Sequence, residues 1–267
     1  MNSGEEMALT TSVAQRCRTS VITGPAALRL HGINTFQWVS RVDVALRGRA
    51  RAFEKPSPRQ KWVYCSGVLH PKTIVQINGI DTVDGIRALF DTYRYHGRTD
   101  ALVAIESARN SLDLTAADLL QRAGSLPRAK GLRGFRQLIE YSAATSESPL
   151  ETLGRDRILR AIESGALTNV GSVAFQVERR IISRFGEYRK ALIDAMLTNV
   201  IGIEFDGKIR QSGTFEDPDF ITEEERRREN QLQNQGLVIC RFGWSEVISG
   251  QFIRTVQNLL GAYPRDP

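Results

Sequence analysis

The chain has few of the residues that most often bind metals or form disulfides. It has three cysteines and three histidines among 267 residues. These residues are Cys17, Cys65, Cys240, His31, His70 and His96. They are widely separated, and no two of them have the paired spacing typical of zinc sites or disulfide frameworks. We therefore expect reduced, structural thiols, and histidines with packing or surface roles.

Long apolar runs are also lacking. No segment approaches the roughly 20 apolar residues of a membrane-spanning helix, and MNSGEEMALT lacks the positive-then-apolar order of a secretory signal. The chain is 41% hydrophobic and 25% charged, a balance typical of soluble globular proteins. These features predict a cytoplasmic protein with no membrane partner, long enough for one large or two ordinary domains.

Basic residues are in excess and are concentrated in two segments. The net charge is +6 and the isoelectric point is about 9.5. Residues 41–61 carry seven Lys/Arg and two acids, and residues 122–136 carry five Lys/Arg and no acid. Both segments could be solvated loops, or they could face phosphates. The second interpretation predicts DNA contacts by Arg47, Arg49, Arg51, Arg128, Lys130 and Arg133.

A small, polar stretch divides the chain. YSAATSE, residues 141–147, has the composition of a linker between domains at 1–140 and 148–267. The first domain is predicted to be a smaller α+β domain. In the second, Ser148 and Pro149 begin a helix, three strands follow, and Thr222 caps a second helix with Glu225 completing a capping box. A strand and a final amphipathic helix end the domain, so the sequence predicts an α/β fold with a mixed sheet flanked by helices.

Carboxylates interrupt two of the predicted strands. Asp194 lies within apolar ALIDAML, and Glu204 and Asp206 end the strand VIGIEFDG. Glu204 and Asp206 are two residues apart and would share one face of a strand. A bend at residues 196–199 would bring Asp194 and Glu204 to one sheet edge. With Lys208, the pattern D-x9-E-x-D-x-K offers the oxygen ligands that Mg²⁺ or Mn²⁺ prefers.

Residues 148–260 resemble the PD-(D/E)xK nuclease superfamily, and within it the branch of bacterial domains similar to very-short-patch-repair endonucleases. The resemblance rests on SPLE, Asp194, IEFDGK and the segment ERRREN…QG.VICRFGW, in this order. It implies a restriction-endonuclease-like fold and metal-dependent DNA hydrolysis. It also implies that Asp194 and Glu204 bind the metal and that Glu151 completes the metal and water site.

The chain departs from that family at one position. The family's lysine stands two places after the glutamate, where this chain has Asp206. Either Lys208 reaches the site, or Asp206 binds a metal. Arg228 would support the site or contact phosphate, although it could equally belong to a salt-bridged helix face. Glu151 is three residues after Ser148 and could serve only as part of a capping box.

The first half resembles, more faintly, the middle region of AbiEi-type antitoxin-like proteins. The resemblance is carried by ITGPAALRLHGI and GIDTVDGIRALFDTYR. Such proteins usually begin with a winged helix-turn-helix, whereas only about twenty residues precede this stretch. Two hypotheses follow. The chain is a Mg²⁺- or Mn²⁺-dependent DNA endonuclease of defence, repair or mobile-element biology. Alternatively, it is a noncatalytic, antitoxin-like DNA-binding protein with a toxin or defence partner.

Overall fold

The computed structural model describes residues 1–47, 60–207 and 223–263. The chain forms two compact units, Met1–Ala144 and Thr145–Pro267. Their boundary lies within the segment 141–147 that was expected to be a linker. The first unit was expected to be the smaller one, but it is the larger, with 144 residues against 123. The expected boundaries, 1–140 and 148–267, already made the first domain the longer one, and it also contains two helices that the sequence did not predict.

The first unit combines a mixed sheet with six helices among its described residues. The strand order is β3-β2-β1-β5-β4, with β1–β2 and β4–β5 antiparallel and β1–β5 and β2–β3 parallel. Its elements are α1 Ser3–Arg16, β1 Ser20–Thr23, α2 Gly24–Leu30, β2 Val42–Leu46, β3 Trp62–Cys65, a 3₁₀ turn Pro71–Thr73, β4 Ile74–Ile77, β5 Ile80–Val83, α3 Gly85–His96, α4 Arg98–Ser111, α5 Ala116–Ala123 and α6 Leu132–Tyr141.

The sequence analysis did not predict helices α1 and α6, which begin in segments rich in polar or charged residues. α1 has a capping box at Asn2 and Glu5. α6 starts inside the basic segment 122–136, directly after Gly131, which has φ of +95°. Phe135, Leu138 and Ile139 are the buried residues of α6. A few apolar residues at helical spacing therefore decide the structure of a segment in which charge dominates the composition.

The second unit has a four-stranded mixed sheet, which confirms the predicted α/β class. The strand order is β6-β7-β8-β9, with β8–β9 parallel and the other two pairs antiparallel. Its elements are α7 Pro149–Glu163, β6 Val173–Ile182, β7 Tyr188–Leu197, β8 Ile201–Phe205, α8 Glu223–Asn234, β9 Val238–Phe242, α9 Trp244–Ser249 and α10 Gln251–Ala262. The expected helix cap at Thr222 lies outside the described residues.

Helices cover both faces of this sheet. On one face, α7 crosses β8 at Gly154, where an added Cβ would collide with the ring of Phe205. Phe205 packs edge-on against Phe252 of α10, with the ring centroids 5.7 Å apart. On the other face, Leu232 of α8 packs with Ile193 and other residues of the sheet. The final amphipathic segment is two helices, not one, because Gly250 between them has φ of +77°.

The cysteines and two of the histidines lie in packed or hydrogen-bonded environments. The three thiols are free, with Cys17 and Cys65 buried. The His31 ring contacts the Val83 carbonyl through Nε2 at 2.8 Å, and His96 Nε2 lies 2.5 Å from Asp43 Oδ2. Among the described residues, no helix combines the length and apolarity needed to cross a membrane.

Candidate functional site

The β7–β8 hairpin places Asp194 opposite Glu204. Thr198 and Asn199 form its tight turn with φ of +57° and +64°. The last pairs before the ladder opens include Ala195 with Ile203, so one further step of the same register puts Asp194 opposite Glu204. The expected bend at residues 196–199 is this turn. Both acids lie five residues from Asn199, so the hairpin brings them opposite each other.

The row of polar residues extends over all four strands. On β6, Gln176 lies between Phe175 and Val177, which pair with Ala195 and Ile193. The register thus puts Gln176 opposite Asp194. On β9, Arg241 pairs with Glu204. Side chains from Gln176, Asp194, Glu204 and Arg241 consequently start from one line across the sheet.

The sheet is distorted where this row crosses β6 and β7. Ile193 Cγ2 would lie 3.2 Å from a Cβ placed on Gly202, and Gly202 pairs with Met196. Residues 193 and 196 therefore share a face, which residues three apart in a regular strand do not. The strand changes face at Asp194–Ala195. Gln176, directly opposite, has φ of +54°, a left-handed conformation that is rare for a side-chain-bearing residue in a strand.

Asp194 is partly buried and electrostatically crowded. Its pKa is raised to about 6, chiefly by burial and also by the charges of Glu151 and Glu204, against the opposing effects of the Phe205 N–H and Arg228. The Phe205 amide donates to Asp194 Oδ2 at 2.7 Å. Interaction with both other carboxylates indicates that α7, β7 and β8 bring three of the predicted site residues together.

The Glu151 carboxylate does not form the expected capping box with Ser148, because it accepts from the amide of Glu147, one residue before the cap. Its part in a metal and water site stays a prediction. Ser148 caps α7, its Oγ accepting from the Glu151 amide at 3.2 Å. The Glu151 carboxylate turns toward the sheet, where Oε2 accepts from the Glu147 amide at 2.9 Å and from Gln176 Nε2 at 3.1 Å. Burial raises the pKa of Glu151. The strained Gln176 thus connects the helix carboxylate to the row on the sheet.

Glu204 is neutralised by two arginines. Arg228 Nη2 lies 2.5 Å from Oε1, and Arg241 Nε lies 3.1 Å from Oε2. Arg228 also donates to the Leu192 carbonyl at 2.8 Å, so it holds α8 to β7 within the site. Arg241 was not among the predicted site residues. It joins the site because β8 and β9 pair in parallel, a long-range pairing that no local sequence pattern encodes.

Asp206 does not lie in the strand in which the sequence placed it. β8 ends at Phe205, and Asp206 is exposed just beyond it, its amide donating to the Phe242 carbonyl at 3.1 Å. The period-two argument that put Asp206 on the face of Glu204 fails because Asp206 is no longer in a strand. Lys208 lies outside the described residues.

The predicted DNA-binding arginines and lysine fall in the first unit, apart from Arg228. Arg47 Nη2 lies 2.5 Å from Asp81 Oδ2 in an ion pair. Arg128, Lys130 and Arg133 are exposed around the start of α6. Arg49 and Arg51 lie outside the described residues.

The site fits a cation only in part. Within residues 1–47, 60–207 and 223–263, no cluster of three or more acidic, histidine or cysteine side chains has the arrangement of a metal site. Asp194 and Glu151 carry raised pKa values, which a nearby cation would lower. Glu204, in contrast, already has a guanidinium at each oxygen.

Comparison of the chain with protein-family models, with curated proteins and with solved structures finds no match in any of the three. The resemblance to PD-(D/E)xK nucleases therefore stays a prediction.

Proposed function

We propose that the second unit is a divalent-cation-dependent phosphodiester hydrolase acting on DNA. The observation that supports the proposal is the convergence of Glu151, Asp194 and Glu204 at a distorted point of the sheet, with the pKa of Asp194 raised to about 6. Clusters of carboxylates with perturbed pKa values are frequent at catalytic sites and disfavoured elsewhere, because they oppose folding. The net charge of +6 suits a polyanionic substrate.

Each residue has a defined task in this proposal. Asp194 and Glu151 would hold Mg²⁺ or Mn²⁺, which when bound lowers the pKa of a water ligand and stabilises negative charge on the phosphate. Gln176 orients Glu151 through their 3.1 Å hydrogen bond. Arg228 and Arg241 hold Glu204 in place through their ion pairs, and Glu204 would supply a further oxygen ligand to the cation. Arg128, Lys130 and Arg133 would hold the DNA backbone without reading sequence.

The test is a plasmid-nicking assay with Mg²⁺, Mn²⁺ or chelator. We expect metal-dependent nicking that Asp194→Asn and Glu204→Gln each reduce by at least about a hundredfold, about 2.7 kcal/mol of activation free energy. Asparagine keeps an acceptor for the Phe205 amide, so the fold is preserved. The matched control is Glu163→Gln, an exposed acid at the end of α7, which should nick like the wild type.

The two arginines at Glu204 favour a second candidate, a noncatalytic DNA-binding protein with this fold. In that case the two arginines balance the charge of Glu204 as a metal ion otherwise would, and their ion pairs are purely structural. The protein would then bind DNA together with a toxin or defence partner. Intact plasmid with either metal, together with gel-shift binding that weakens with salt, would contradict the hydrolase and support this candidate.

A further inference from the structure

The long β6–β7 hairpin projects a basic and aromatic surface that the carboxylate site does not use. We call residues 177–193 the arm. They carry five Lys/Arg and two acids, a net charge of +3. Phe185 and Tyr188 have 67% and 77% of their surface exposed, the two highest values among the large hydrophobic residues in the described ranges. Such exposure in a connected patch marks an interaction surface more often than chance.

One face of the arm packs against α8. Val177, Ile181, Ala191 and Ile193 pack in a cluster with Leu232. Within the part of the chain that the structure describes, the opposite face is open and consists of three cross-strand pairs: Glu178 with Leu192, Arg180 with Lys190, and Ile182 with Tyr188.

The side chains of the open face cost the unliganded protein free energy in two ways. Arg180 and Lys190 are like charges directly opposite each other, which destabilises a strand pair, although Glu178 lies 2.7 Å from Lys190 and offsets part of the repulsion. Ile182 and Tyr188 leave apolar surface in water. A ligand that supplies negative charge beside flat apolar groups would relieve both costs.

Hydrogen bonds from α8 and within the tip hold the backbone of the arm in place. Gln231 of α8 spans the Ile182 backbone, its Oε1 accepting from the amide at 2.5 Å and its Nε2 donating to the carbonyl at 2.7 Å. Gln235 donates to the Arg180 carbonyl at 2.8 Å. At the tip, the Ser183 hydroxyl accepts from the amides of Phe185 and Glu187. A fixed aromatic surface loses little conformational entropy on binding.

We propose that the arm binds single-stranded DNA, with Tyr188 and Phe185 stacking on unpaired bases and Arg180 and Lys190 contacting the adjacent phosphates. Each nucleotide of a nucleic acid presents a negatively charged phosphate and a flat base. Proteins usually bind single strands with aromatic residues placed among cationic ones. The choice of DNA as ligand rests on the proposed function. Ile182 is six residues from Gln176, about 20 Å along the strand, so the contacted bases lie several nucleotides from the carboxylates.

The test measures binding of a labelled oligonucleotide, single-stranded or as its blunt duplex, to the full chain by fluorescence anisotropy in chelator. We expect the single strand to bind more tightly than the duplex, and Phe185→Ala/Tyr188→Ala to weaken single-strand binding about tenfold or more. Tyr263→Ala is the matched control, since Tyr263 is also exposed, and should bind like the wild type. Tyr188→Phe should retain affinity because the ring remains.

The cations are tested separately. Arg180→Ala/Lys190→Ala should lower the slope of log Kd against log salt by about 1.4, or about 0.7 for each phosphate contact to a single strand. Arg160→Ala/Arg254→Ala removes two exposed charges from helices of the same unit and should leave the slope unchanged if the arm is the contact.

The outcomes separate this inference from the hydrolase proposal. If the protein nicks plasmid but the arm substitutions leave its affinity for single strands unchanged, only the proposal that the arm binds single-stranded DNA is overturned. Arm-dependent binding without nicking overturns only the hydrolase. Absence of single-strand binding by the wild type, or arm substitutions that change only the oligomeric state in size-exclusion chromatography, rejects DNA as the ligand and points to a second copy or another protein.

Discussion

At the scale of single residues, the site is defined by groups that oppose folding. Asp194 is half-buried beside two other carboxylates, and Gln176 has a left-handed backbone inside a strand. Each of these two features costs free energy in the folded state. Such costs persist where a site needs them, and both can be measured.

The raised pKa of Asp194 predicts a stability that depends on pH. Between pH 3.8 and about 6 the folded chain holds this proton more tightly than the unfolded chain does, so the free energy of unfolding falls as pH rises through that window. Asp194→Asn removes the charge. It should stabilise the protein at pH 7.5 by roughly 1–2 kcal/mol, after allowing for solvent screening, and by much less at pH 4. Urea denaturation at both pH values measures this, and an equal effect at the two would contradict it.

At position 176 we expect glycine to give a more stable protein than alanine, the reverse of the usual order in a strand. Both substitutions remove the hydrogen bond to Glu151, but glycine adopts φ of +54° without steric cost. We expect Gln176→Gly to be more stable than Gln176→Ala by about 0.5–1 kcal/mol. At neighbouring Val177 the same pair should show the ordinary order, with alanine the more stable. The midpoints of urea denaturation give both differences, and the same order at both positions would show that the strand carries no strain.

At the scale of elements, the site depends on how closely α7 approaches β8. Gly154 allows the helix to lie on the Phe205 ring, which brings Glu151, one turn earlier, within electrostatic range of Asp194. The hydrophobic periodicity of α7 predicts a helix with a buried face, but not which strand it crosses.

Gly154→Ala should therefore separate the helix from the sheet. The added methyl would occupy the position of the Phe205 ring, and overpacking of this kind costs about 1–3 kcal/mol or more. Gly261→Ala is the control, since Gly261 lies in helix α10 with open space around it, and it should be neutral or stabilising by up to about 1 kcal/mol. A double substitution with Phe205→Leu should recover part of the loss in thermal unfolding. Full stability of Gly154→Ala would contradict this packing.

At the scale of the whole molecule, the two units have separate cores. The first is built around residues such as Phe90 and Phe135, and the second around Phe205, Phe242 and Phe252. The carboxylates and the arm belong to the second unit, and the exposed basic residues near α6 belong to the first. The proposed activity and the predicted backbone contacts can therefore be separated by experiment.

Residues 145–267 should fold when expressed alone. Their sheet is covered by helices of the same unit, so the apolar burial that stabilises it does not require the first unit. We expect one cooperative urea transition monitored by circular dichroism. Phe252→Ala in this fragment should lower the free energy of unfolding by about 3–5 kcal/mol. A fragment that shows no cooperative transition would contradict the independence of the unit.

The sequence alone determined much of the second unit, because its signals are local. Caps, glycine stops and apolar runs predict the order of helices and strands, and an acid within an apolar strand singled out Asp194. The same methods missed α6, where a short apolar face competes with a dense basic composition. They also placed Asp206 in a strand that ends one residue earlier.

Only the tertiary structure decided the composition of the site. The pairing of β8 with β9 brings Arg241 to Glu204, and the pairing of β6 with β7 brings Gln176 opposite Asp194. Both partners are tens of residues from the acids they serve, and their selection depends on strand register and helix packing. Local sequence preferences specify which elements form. The burial of the assembled sheet specifies which of their side chains meet.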